Sequence, residues 1–245
     1  MQPLAEFLPV TLPDDPLPLA ARWLEQAYAA GTQPNPNALV LATVDASGAP
    51  SARVVLCKEI QPQAGYLAFF SNYESRKGQE LAANGRAAGV MHWDVLHRQL
   101  RVEGQVRLAP AAESDVYFAS RPWQRRVGAW ASAQSRPLAA RSDLEQSVVK
   151  TAARFGVPVP GPEDTAPEKS AVVAALLTTA IPRPPFWGGY HLWIEALELW
   201  TEGGARLHDR ARWQRRVDFD GGDLPGRVVS RPPAVTRWTV TRLQP

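Results

Sequence analysis

The chain has 245 residues, enough for one large domain or two small ones with a substantial core. Its 45% hydrophobic and 21% charged content is that of a soluble globular protein, and a net charge of +3 is too slight a bias to argue for a nucleic-acid partner. The single cysteine, Cys57, excludes an internal disulfide framework and fits a reducing compartment. Met1-Gln2-Pro3-Leu4-Ala5-Glu6 lacks the basic opening of a signal peptide. The longest apolar run, around Ala171 to Ile181, is about half the roughly 20 residues a membrane helix needs, so a cytoplasmic protein is expected.

Pro13-Asp14-Asp15-Pro16 opens a helix, with Asp15 as cap and Pro16 in the first turn. Leu19, Ala20, Trp23, Leu24 and Ala27 then line one face of Leu17 to Ala30, and Gly31 to Pro36 breaks the pattern. Ala38 to Val44 and Ser51 to Glu59 flank a turn at Asp45-Ala46-Ser47-Gly48 and read as a β-hairpin, with Gly65 to Ser71 as a third strand. Ser75 caps a helix running to about Ala83, ended by Asn84-Gly85. Arg76 and Lys77 sit in its first turn, where the helix dipole disfavours cations. They are either ordinary surface residues or part of a helix start that receives an anion. Ala87 to Trp93 and Gln99 to Leu108 are two more strands, and hairpin-linked strands at this spacing suggest an antiparallel barrel.

Helices follow at Pro110 to Ser120, Trp123 to Ala131 and Asp143 to Phe155, the last capped by Ser142. Proline-rich Val157 to Pro185 reads as a surface excursion holding a short helical segment, Glu168 to Thr178. Trp187-Gly188-Gly189-Tyr190 leads into a strand over Glu195 to Thr201, and Gly203-Gly204 signals a hairpin. With Arg206 onward as the return strand, Arg206, His208 and Arg210 share one face and Leu207 and Asp209 the other. Two guanidiniums beside an imidazole are stabilised either by nearby acids or by a bound anion, phosphate or carboxylate. An irregular loop, Asp218 to Pro233, precedes Val235 to Leu243, which closes the sheet. The expectation is a mainly β protein with flanking helices, a single domain over residues 1–245 with long loops at about 157–185 and 218–233.

Several chemistries lack their residues. There is no G-x-G-x-x-G or Walker-type loop and no G-x-S-x-G, and His92, His97, His191 and His208 have no metal-ligand spacing, so no metal is expected. What remains is a set of anion-binding residues spread along a barrel.

Those residues occur in segments whose joint order is specific. They are Leu12-Pro13-Asp14-Asp15-Pro16 with Arg22-Trp23-Leu24, Arg53-Val54-Val55-Leu56-Cys57-Lys58, Phe70-Ser71-Asn72 and Ser75-Arg76-Lys77. Arg98-Gln99, Tyr117 to Pro122, Gly128-Ala129-Trp130, Gln134-Ser135, Phe186 to Tyr190 and Glu198 to Arg210 complete them. Over roughly residues 12–156 and 182–216 the chain resembles the pyridoxamine (pyridoxine) 5′-phosphate oxidase family. The resemblance implies an antiparallel FMN-binding split β-barrel and a homodimer with shared active sites. It also implies oxidation of pyridoxamine or pyridoxine 5′-phosphate to pyridoxal 5′-phosphate, with O2 as acceptor and H2O2 as product.

By the same resemblance FMN is held by Arg53, Val54, Val55, Leu56, Cys57, Lys58, Phe70, Ser71, Arg76, Lys77, Gln99, Gln134, Ser135, Trp200 and Arg210. The substrate phosphate meets Lys58, Tyr117 and Arg121, and the reacting end lies near Arg206, Leu207 and His208, with Arg206 and His208 in the catalytic role. Arg125 stands where the family usually has serine, and residues 1–11 lack the family's basic segment. Both departures touch substrate recognition. Two alternatives therefore stay open: an FMN oxidase of the same fold acting on another anionic substrate, such as a phenazine-type precursor, and a non-catalytic flavin-binding protein.

Overall fold

The computed structural model describes residues 7–157, 180–219, 226–229 and 231–245. The helical segment expected at Glu168 to Thr178 and residues 220–225 and 230 of the expected Asp218 to Pro233 loop lie outside the described residues. The chain divides into two compact units, one of Met1–Phe70, Gln79–Ala109 and Gly189–Pro245, the other of Ser71–Gly78 and Pro110–Gly188.

The first unit is built on antiparallel strands: β1 (Ala38–Val44), β2 (Pro50–Leu56), β3 (Glu59–Gln61), β4 (Tyr66–Asn72), β5 (Arg86–Trp93), β6 (Arg98–Leu108), β7 (Trp187–Thr201) and β8 (Asp209–Gln214). With β11 (Thr239–Leu243) they form a nine-stranded sheet in the order β11-β8-β7-β6-β5-β1-β2, where β4 pairs with β3 and β7. The sheet curls into a half-barrel.

The first hairpin turns as expected, because the Asp45 carboxylate accepts hydrogen bonds from the N–H groups of Ser47 (2.9 Å) and Ala49 (3.0 Å). The second strand is shorter than the expected Ser51 to Glu59. β2 leaves β1 after Leu56, and Glu59–Gln61 changes partner to β4. Val235 to Leu243 is likewise two elements. β10 (Ala234–Val235) pairs with β9 (Val217–Asp218) in a separate ribbon, and only β11 joins the main sheet.

Strand alternation gives the main sheet two unlike faces. Leu39, Leu41, Met91, Leu100, Leu199 and Trp213 are at most 1% exposed and form the core, each contributing about 1.5–3 kcal/mol by burial. α1 (Leu17–Ala30) buries Leu17, Leu19, Ala20, Trp23, Leu24 and Ala27, and Trp23 meets Trp93 edge-on at 6.5 Å. The Asp15 carboxylate accepts the Leu17 N–H at 3.0 Å, and left-handed Gly31 ends the helix. The opposite face carries, in one row across six strands, Val54, Val40, Val90, Arg101, Glu198 and Arg212. A neighbouring row places Gln99, Trp200 and Arg210 on three adjacent strands.

The second unit holds α3 (Ala111–Ser120), α4 (Trp123–Ala131) and α5 (Arg141–Arg154). Phe118, Val127 and Ala152 are its buried apolar residues on these helices. Trp130 packs on Phe155 and Phe186 and donates its indole N–H to the Pro182 carbonyl at 2.8 Å. The cap of α5 differs from expectation. The helix begins at Arg141, and the Asp143 carboxylate, rather than the Ser142 hydroxyl, accepts the Ala140 N–H at 3.1 Å. α2 (Arg76–Asn84) starts in this unit and ends in the first, and Ser75 caps it as expected by accepting the Gly78 N–H at 3.3 Å.

Candidate functional site

Sequence alone groups the candidate residues by resemblance; the structure sorts them by unit. In the first unit, Gln99, Trp200 and Arg210 lie side by side on β6, β7 and β8. The His208 ring packs on Trp200 with centroids 4.7 Å apart, and its Nδ1 accepts the Gly203 N–H at 3.3 Å. That contact leaves the proton of a neutral ring on Nε2, so His208 presents a donor to whatever lies beyond it.

The expected return strand starts later than the alternation assumed. Gly203 and Leu207 pinch together so closely that a Cβ on Gly203 would lie 1.8 Å from the Leu207 carbonyl oxygen. Gly204–Arg206 forms a single 3-10 turn in which Ala205 (φ 53°) and Arg206 (φ 66°) are left-handed, and β8 begins only at Asp209. Arg206, His208 and Arg210 therefore do not share a strand face. Arg206 is exposed in a loop and has no ion-pair partner among the described residues, and Leu207 is 71% exposed. Two consecutive left-handed non-glycine residues store strain of about 1–3 kcal/mol each, and such strain concentrates at functional loops.

Neither Arg210 nor Arg53 is a free cation. Arg210 donates through Nε (3.1 Å) and Nη2 (2.8 Å) to one oxygen of buried Glu198, and through Nη1 to the Gln244 carbonyl at 3.0 Å. Arg53 pairs with Glu80 at 3.0 Å and also donates to Thr43 and Ser51. Both carboxylates went unassigned in the sequence. Glu198 has the alternation of Trp200 as its signal, while Glu80, on α2, offered none. Val54 on β2 is 63% exposed and Cys57 1%. Lys58 is exposed, and Phe70 is half-buried against Gly189.

In the second unit, Lys77 is buried in the first turn of α2, and its Nζ donates to Ser71 Oγ (3.0 Å), Ser75 Oγ (3.2 Å) and Gln134 Oε1 (3.0 Å). The Lys77 ammonium, three side-chain oxygens and the start of a helix thus converge, with Arg76 exposed beside them. Two cations at a helix N-terminus fit a phosphate ester. Ser135 (φ 71°) follows Gln134 in an exposed, left-handed turn.

On α3 the Tyr117 ring stacks parallel to Trp187 at 6.1 Å, and Arg121 lies over the same indole at 4.5 Å. The Arg121 Nη1 atom is buried and makes no hydrogen bond among the described residues. Burial lowers the pKa of this guanidinium, Tyr117 raises it, and the charge of Arg125 lowers it further. A half-buried guanidinium with a second one nearby is an arrangement that an anion stabilises. Among the described residues no group of His, Cys, Asp or Glu could hold a metal, and no helix is long and apolar enough to cross a membrane.

A family model described as pyridoxamine 5′-phosphate oxidase matches residues 24–154. A second, described as the pyridoxine 5′-phosphate oxidase C-terminal dimerisation region, matches residues 187–245. A pyridoxine/pyridoxamine 5′-phosphate oxidase of Cereibacter sphaeroides is 42% identical over 233 residues, covering 95% of this chain and 96% of that one. One of Cupriavidus taiwanensis is 44% identical over 231 residues, covering 94% and 89%. Among solved structures, PhzG from Burkholderia lata 383, in complex with tetrahydrophenazine-1-carboxylic acid, is similar with a TM-score of 0.73 at 28% identity, covering 98% of this chain and 100% of that one.

Proposed function

Because the chain belongs to the pyridoxamine 5′-phosphate oxidase family, we propose that it oxidises pyridoxamine or pyridoxine 5′-phosphate to pyridoxal 5′-phosphate with FMN as cofactor, O2 as acceptor and H2O2 as product. The observation that carries the substrate half of this reading is Arg121: a buried donor nitrogen without a hydrogen bond among the described residues, on a guanidinium stacked on Trp187, is suited to a phosphate ester. Tyr117 stands beside it, and Lys58 is the third phosphate residue that the family resemblance supplies.

The chain's residues suit FMN in two ways. Lys77, Arg76, Ser71, Gln134 and the start of α2 bind its phosphate, with Ser135 beside them. Trp200, Gln99 and Arg210 meet its ring system, along with Phe70 and the β2 segment Arg53, Val54, Val55, Leu56, Cys57 and Lys58. Hydride acceptance and O2 reduction are chemistry that bound FMN supplies. The chain's part is to bind, orient and shield. Arg121 anchors the substrate phosphate, Arg206 offers an uncompensated cation, and His208 offers its Nε2–H to the reacting end of the substrate.

The protein acts as a homodimer in the cytoplasm. The outer sheet face supports the dimer, since its row of Val54, Val40 and Val90 leaves Val54 63% and Val40 46% exposed in the single chain. A second reading, an oxidase for an anionic phenazine-type ring, draws on the likeness to PhzG and on Arg125, which adds a cation near Arg121.

One experiment separates these readings. Acid precipitation should release a flavin that chromatographs as FMN, and the wild type should form H2O2 from pyridoxamine and pyridoxine 5′-phosphates. No turnover in the wild type but turnover in Arg125→Ser would assign the pocket to another substrate. No turnover in either, with FMN bound and reducible, would end the vitamin B6 reading.

A further inference from the structure

Glu198 is a carboxylate only 2% exposed, standing on β7 between two strands that each aim arginines at it. Arg210 gives its Oε1 two hydrogen bonds, of 3.1 and 2.8 Å, while Arg101 (3.5 Å) and Arg212 (3.9 Å) approach Oε2. Arg212 is committed elsewhere: it forks onto Glu103 at 3.0 and 2.8 Å, and that contact is the main cause holding the Glu103 carboxyl below its ordinary pKa. The short contacts of Glu198 therefore go to Arg210.

Geometry fixes what this does. Glu198 and Trp200 share a face of β7, and Arg210 is the direct cross-strand partner of Trp200 and the diagonal neighbour of Glu198. A free arginine on a half-exposed strand samples many rotamers. One held through Nε and Nη2 by a buried carboxylate, and through Nη1 by the Gln244 carbonyl, keeps one plane and one direction. Its charge is also offset. A compensated guanidinium donates hydrogen bonds but adds little net positive potential, which suits the neutral oxygens and nitrogens of a heteroaromatic ring better than a phosphate dianion.

We propose that Glu198 is a positioning residue for the flavin ring, which it serves by fixing the direction of Arg210 and cancelling its charge beside Trp200. This rests on the flavin reading above. Two consequences separate. Loss of the carboxylate charge leaves Arg210 net positive beside the ring and favours the reduced, more negative flavin, so the midpoint potential rises. Loss of the fixed direction weakens FMN binding.

The test titrates FMN into apo-protein by flavin fluorescence and measures the midpoint potential of the bound cofactor, for wild type, Glu198→Gln and Glu198→Asp. Glu198→Gln should raise the FMN Kd by about tenfold or more, as for loss of a charge-assisted bond, and move the potential upward. Glu198→Asp keeps the charge but draws the guanidinium back by one methylene. It should raise the Kd while leaving the potential at the wild-type value, and it decides the matter alone if the glutamine variant does not fold. Wild-type Kd and potential in both variants would overturn the role of Glu198 and leave the flavin reading standing. A wild type that binds no FMN would overturn both.

Discussion

Cys57 illustrates how far a residue's position can depart from what its neighbours suggest. It lies within the segment the resemblance assigns to the flavin, yet it is 1% exposed, and burial first of all pushes its thiol up to about 12. Thiolate is the reactive form, so at pH 8 almost none is present. Iodoacetamide at that pH should leave the folded protein unmodified and alkylate one site after urea unfolding, as read by mass spectrometry; stoichiometric labelling of the folded chain would refute this. Arginine positions were legible in the sequence, but their states were not. Arg53 and Arg210 were readable as candidate anion ligands, yet each turns out to carry a buried carboxylate, Glu80 or Glu198, brought from another element. Charge compensation across elements depends on register, which local spacing does not encode.

Elements were read most reliably where periodicity and punctuation coincide, as in α1, whose bounds Leu17–Ala30 follow from Pro16, an apolar stripe and Gly31. They were misread where one chain pairs with two partners. β2 and β3 follow one another after only two residues but hydrogen-bond to different strands, and the Gly203-Gly204 signal hides a pinched loop with two left-handed residues. A similar irregularity interrupts β6 and β7, where the register shifts between Glu103 and Gly104. A Cβ on Gly104 would lie 1.8 Å from the Trp193 carbonyl oxygen, a backbone atom that cannot swing away. Gly104→Ala should cost about 1–3 kcal/mol, seen as a lower urea midpoint, because the strands must separate locally. An unchanged midpoint would mean that the bulge relaxes freely.

At the scale of the molecule, the proposed dimer makes a direct prediction. Light scattering should give twice the chain mass, and Val40→Asp, which places a charge at the centre of the apolar row, should shift the population toward the monomer. A wild-type monomer that still holds FMN would refute the shared site. The strand order carries a further consequence, one of timing. β7 lies between β6 and β8 and also pairs with β4, but in the chain it follows β6 by about 80 residues, nearly all of the second unit. At roughly 5–20 residues per second of synthesis, a nascent chain leaves one edge of β6 open for roughly 4–16 seconds before β7 emerges to close it. Open edges invite pairing with other chains, and charged side chains discourage it. Arg98, Arg101, Glu103 and Arg107 space charge along β6, so the edge that waits for β7 carries side chains that discourage pairing with a stranger.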